Sequence, residues 1–208
     1  MQRRLGPLAA FLAAALALPA LAQVPIETLA PEQAQQYAAG AIRTIQEQIP
    51  NPPLRTDLDA SNALGIRVAD DVGMLAIPQK GLARAALVNA GEEPVTVGAL
   101  VLLNVLPLAG GHFVEAAKVT ELRVPDAPGK LYVIYLGVRK EGDRRVLSVY
   151  GRDRAPLLSV PLEESASDGD KPLASRVANI DEASQTGDMI FTIAGAFRAT
   201  LRGGRVAP

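Results

Sequence analysis

The chain has 208 residues, with 21 basic and 22 acidic side chains, a single histidine and no cysteine. The lack of cysteine excludes a disulfide framework, a thiolate nucleophile and a cysteine-ligated metal. The near-balance of charge argues against a general binder of nucleic acid or anionic membrane, and four Phe, four Tyr and no Trp leave few flat rings for a sugar-stacking platform.

The first residues, MQRRLGPLAAFLAAALALPALAQVP, carry Arg3 and Arg4 ahead of an apolar run from Leu8 to Leu18. Ala20-Leu21-Ala22 follows as a small-x-small site. This pattern predicts a secretory signal peptide over residues 1–22, cut after Ala22. The run is short for a membrane span of about 20 residues, and Pro19 breaks it. No cysteine follows, so bacterial lipid attachment is excluded. The expectation is a periplasmic or extracellular protein with no membrane span after cleavage. Removing residues 1–22 takes away two arginines and no acid, leaving 19 basic against 22 acidic residues.

Residues 23–30 read as a lead. PEQAQQYAAGAIRTIQEQIP then predicts a helix over 31–48. Pro31 suits a first helical position, Glu32 the positive helix end, and Pro50 closes it. Tyr37, Ala38, Ala41, Ile42 and Ile45 form its apolar stripe. Residues 51–62 are a connector, with Pro52-Pro53 favouring extended chain.

Short apolar runs divided by Gly, Pro and Asp fill the rest. Residues 64–68 and 73–78 predict strands about a turn at Asp70-Asp71. A short helix over 82–90 ends at Gly91. Residues 95–108 are apolar on both faces and predict one or two central strands. Further strands are expected over 118–124, 130–140, 144–152 and 156–163, with Gly142 in the turn of a hairpin over 130–152. Residues 163–171 form a polar loop. Finally, MIFTIAGAFRATLR alternates over more than ten residues, with Met189, Phe191, Ile193, Phe197 and Leu201 on one face, and predicts one half-buried strand. The fold class is mainly β: an antiparallel sandwich or open barrel (63–203) with an N-terminal helix, a further short helix and a tail at 204–208.

Few residues point to chemistry. No serine lies in G-x-S-x-G and no S-x-x-K occurs, and Ser148 and Ser159 sit inside predicted strands. Asp57, Asp59 and Ser61 match calcium-loop positions one, three and five. Asn62 replaces the required Gly and Val68 the bidentate Glu, so Asp59 or Asn62 capping a turn is the better reading. With one histidine, a zinc site lacks ligands. No phosphate loop or dinucleotide fingerprint occurs. No catalytic residue, metal site or cofactor is therefore expected.

Two features remain. His112 follows Gly110-Gly111 in LPLAGGHFVEA (106–116) and reads as solvent-facing loop punctuation. Arg139, Lys140, Arg144, Arg145, Arg152 and Arg154 gather in the 130–152 hairpin and the turn after it, with Glu141, Asp143 and Asp153 interleaved. Arg144, Arg145, Arg152 and Arg154 are the binding candidates, fit to grip phosphate or carboxylate of an envelope polymer. The alternative for them is a solvated face that discourages edge pairing. The expected function is a non-catalytic binding or structural module of the bacterial cell envelope, with an envelope component or protein as partner. An exported hydrolase with a non-standard site near His112 is the alternative, and an assembly subunit that shares an edge strand is a third possibility.

Overall fold

A computed structural model describes residues 26–125, 127–165 and 171–207. The expected signal peptide lies outside these. In chain order the elements are β1 (Glu27–Thr28), α1 (Pro31–Gln48), a 3-10 turn (Ala60–Asn62), β2 (Leu64–Ala69), β3 (Val72–Pro78) and α2 (Arg84–Val88). Then come β4 (Val95–Leu103), β5 (Val105–Ala109), β6 (His112–Phe113), β7 (Thr120–Leu122), β8 (Leu131–Glu141), β9 (Arg144–Tyr150) and β10 (Pro156–Pro161). The last four are β11 (Glu163–Glu164), β12 (Leu173–Asp181), β13 (Thr186–Ile193) and β14 (Phe197–Arg205).

These strands form two antiparallel sheets. The first runs β1-β2-β3-β4-β8-β9-β10, with β7 beside β8; the second runs β12-β13-β14-β5-β6, with β11 beside β14. The main core fills the space between them. Leu100, Leu102, Ile134, Leu136, Leu147 and Val149 of the first sheet share it with Phe191, Ile193, Phe197, Ala199 and Leu201 of the second. A second core lies on the far face of the first sheet, where α1 packs Ala38 and Ile45 onto Ala99, Val101, Val133, Tyr135 and Tyr150. The molecule thus has three layers, helix, sheet and sheet, which is how the apolar surfaces of both faces of β8 leave water.

Helix α1 has the predicted bounds, with Pro31 at its start and Glu32 in its first turn. Its buried residues are Ala34, Ala38 and Ile45, while Tyr37, expected in the stripe, is 57% exposed. Tyr37 lies at the edge of the stripe, outside the line of Ala34, Ala38 and Ile45. Gln48 fastens the helix end: its amide donates to the Arg123 carbonyl at 2.8 Å and accepts from the Arg123 N–H at 2.9 Å. Tyr135, wholly buried under this layer, has a hydroxyl with no hydrogen-bond partner among the described residues. Burial pushes its pKa up to about 12, because the ionised form would lie in an apolar medium.

The run expected as one strand over 189–202 is two. β13 and β14 form a hairpin whose turn has positive φ at Ala194 (49°) and Gly195 (61°). Ile193 pairs with Phe197, and directly opposed residues share a face. Three intervening residues therefore leave the period of two unbroken in the sequence while the chain reverses. β12, which sequence patterning missed, pairs along the outer side of β13; its residues are mostly half-buried and show no clean alternation.

The two sheets join at Asn104, the single residue between β4 and β5. It is fully buried with φ of 51°, a conformation Asn tolerates better than most residues. Its amide donates to the Asp71 carbonyl at 2.9 Å and accepts from the Lys130 N–H at 2.8 Å. Its backbone N–H donates to the Lys130 carbonyl, and its carbonyl accepts from the Val206 N–H, each at 2.9 Å. Through its side chain Asn104 thereby ties the β2–β3 turn and the start of β8 to the crossing point, and through its backbone the residue that follows β14. Gly129 lies against it, where a Cβ would fall 2.2 Å from the Asn104 amide nitrogen.

Candidate functional site

At one end of the sandwich the β2–β3 turn faces the β12–β13 turn, and the sheets part there to leave a cleft of ≈ 250 Å³. Its walls are apolar: Ile66, Val68, Val72 and Met74 from the first sheet, and Val177, Ile180 and Met189 from the second. Both hairpins carry a register shift beside the cleft, between Arg67 and Ala69 in one and between Ala178 and Asp181 in the other. Bulges of this sort bend and twist a strand locally, which accounts for the parting of the sheets. Gly73, Gly187 and Gly203 bring no side chain to the wall.

Polar groups are confined to the rim. Arg205, at the end of β14, pairs with Asp71 at 2.5 Å and so bridges the two sheets across the cleft. Asp181 accepts from the Ser184 hydroxyl at 2.7 Å and from the N–H groups of Ala183 and Ser184 at 3.0 and 3.3 Å. These hydrogen bonds hold its carboxyl below the usual carboxylate range. The Ser184 hydroxyl also meets that of Thr186 at 2.8 Å, which accepts from Arg202 at 2.9 Å. The rim is a tied hydrogen-bonded chain running from Asp181 through Ser184 and Thr186 to Arg202.

The residues singled out in the sequence lie elsewhere. Arg144 and Arg145 open β9 at the β8–β9 turn, whereas Arg152 and Arg154 follow its other end. Six residue steps of strand separate Arg144 from Tyr150, about 20 Å at the usual rise. The four do not form one patch, because an extended strand holds its ends apart. Arg145 donates to the Val88 carbonyl at the end of α2, and Arg152 donates to the Val119 carbonyl at 3.1 Å, so both guanidinium groups fasten backbone. Ser148 and Ser159 form a cross-strand hydroxyl pair at 2.9 Å. Asp59 caps the 3-10 turn, accepting from the Ser61 hydroxyl at 2.5 Å, from the Asn62 amide at 2.7 Å and from the Ser61 N–H at 3.0 Å, and these bonds lower its pKa. His112 is exposed in β6 beyond the Gly110-Gly111 turn, whose φ values are 58° and 85°. It makes no side-chain hydrogen bond or ion pair among the described residues.

Sequence reasoning missed the cleft. Its walls come from residues 66–74, 105, 177–189 and 203–205, and the last of these overlap the expected tail. The one local signal was Gly203-Gly204 closing an alternating strand, a mark of close approach or open space. No helix among the described residues is long and apolar enough to cross a membrane, and no cluster of metal-ligating side chains occurs among them. No protein-family model matches the chain, and neither does any curated protein or solved structure.

Proposed function

We propose that this chain is an exported, non-catalytic binding module of the bacterial cell envelope, with its ligand seated between the sheets. The apolar cleft carries this reading. A well-packed core leaves few voids larger than a water molecule, and a concave apolar site with a polar rim is the usual form of a small-molecule site. The signal-peptide pattern of residues 1–22 supports the export, and the absence of cysteine is compatible with it. Neither the separated arginines nor the isolated His112 offers a comparable site.

The test uses an accident of composition. Met74 and Met189 line the cleft, and Met1 is the one other methionine. In protein labelled with ¹³C at the methionine methyls, titration with octanol should shift the Met74 and Met189 signals saturably. Signals that stay fixed up to the solubility limit of octanol would remove the cleft as a binding site.

A further inference from the structure

Resting on that reading, we propose that the ligand is a small cationic amphiphile, an alkyl or aralkyl ammonium, with its apolar part in the cleft and its charge at the rim. The size comes from the volume. An apolar cavity of about 150 Å³ takes benzene, so ≈ 250 Å³ takes one ring with a short chain, or a short alkyl chain alone. It does not take a full lipid. The head of such a ligand stays at the mouth, where water and the rim groups meet it.

The sign of the charge comes from the groups around that mouth. Three cations stand near it, and each is already engaged. Arg205 is held by Asp71. Arg67 is held by Glu27, with Asp70 close by. Arg202 donates to Thr186 and lies 3.8 Å from Asp188. Asp181 and Glu182 line the cleft itself, and neither has a cationic partner within ion-pair distance among the described residues. Asp181 is kept ionised by its hydrogen bonds, and Glu182 is exposed. A carboxylate or sulfate head would therefore meet two acids without an ion-pair partner, and the one cation lining the cleft, Arg205, is already held by Asp71. An ammonium head meets two counter-charges at no cost to an existing pair.

The experiment compares octylammonium, octanol and octanoate, three probes of one chain length, by the methionine-methyl titration near neutral pH and at low ionic strength. Octylammonium should bind about fivefold or more tighter than octanoate, with octanol between them, and added salt should compress the ratio. Glu182→Lys, on an exposed turn, should erase the preference for octylammonium over octanoate. Val177→Phe, which fills the cleft, should abolish binding of all three. If none of the three probes binds, the cleft reading falls. If octanol binds but octylammonium binds no tighter than octanoate, the ammonium assignment falls and the cleft stands. Octylammonium binding that leaves the Met74 and Met189 signals fixed would place the cation elsewhere and also overturn the proposal.

Discussion

The first sheet is covered on both faces, by α1 on one side and the second sheet on the other; the second sheet turns one face to solvent. In β8 the residues from Tyr132 to Val138 are all buried, whereas in β14 buried Phe197, Ala199 and Leu201 alternate with exposed Arg198, Thr200 and Arg202. The first sheet therefore supplies the rigid wall of the molecule. The second supplies the facing wall of the cleft, where a bulge in one hairpin of each sheet parts the two.

The contrast is broken most directly by the same substitution on both sheets. Val133→Asp puts a carboxylate between α1 and β8 at a fully buried position. It should cost about 4 kcal/mol or more in urea denaturation, while Thr200→Asp on the solvated face of β14 should stay within about 0.5 kcal/mol. Comparable losses would mean that the two sheets are equally enclosed. A smaller effect tests how the sheets are joined. Asn104→Ala leaves the Asp71 carbonyl and the Lys130 N–H without their side-chain partner and puts alanine at positive φ. A loss of about 2–4 kcal/mol is expected, and a loss below about 0.5 kcal/mol would mean that the junction does not depend on the amide.

The smallest effect is a pH dependence under α1. The Tyr135 hydroxyl ionises only at about 12 when folded, against about 10 when unfolded. The unfolded chain thus releases this proton first. The contribution of Tyr135 is intact below about pH 10 and is lost between there and its folded pKa, by up to about 1.4 kcal/mol per pH unit. Tyr135→Phe should flatten that part of the alkaline limb in denaturation curves and change stability near neutral pH by less than about 1 kcal/mol. An alkaline limb identical to that of the parent protein would show that Tyr135 is not shielded from water.

The same contrast explains what could be read in the sequence. Helix α1 was legible to the residue because proline and glutamate mark its start and Pro50 its end. Residues 23–30, read as a lead, in fact supply β1, which pairs with β2. The other strands of the first sheet were legible as apolar runs between turns, and the run that forms β4, apolar on both faces, announced cover on both sides. The second sheet was less legible. Its half-solvated strands alternate, and alternation passes unchanged through a three-residue turn, so Ala194 and Gly195 were hidden inside an apparent strand. β12 lacked even alternation. The arginines gathered in sequence but parted in space, while the cleft gathers in space residues that the sequence scatters. Local patterning reports which face is dry; it does not report where two dry faces fail to meet.

The pairing of Val105 with Arg205 also bears on the order in which the molecule is made. Those residues stand about a hundred positions apart, and closing a loop of that size costs about 3 kcal/mol more than closing the turn between Ile193 and Phe197, at about 0.6 kcal/mol per doubling of length. The β13–β14 hairpin closes locally and early, but its attachment to β5 waits for the core between the sheets to offset that entropy. The Arg205–Asp71 bridge and the cleft beside it can exist only after this step. The cleft is therefore completed only when β14 has joined β5.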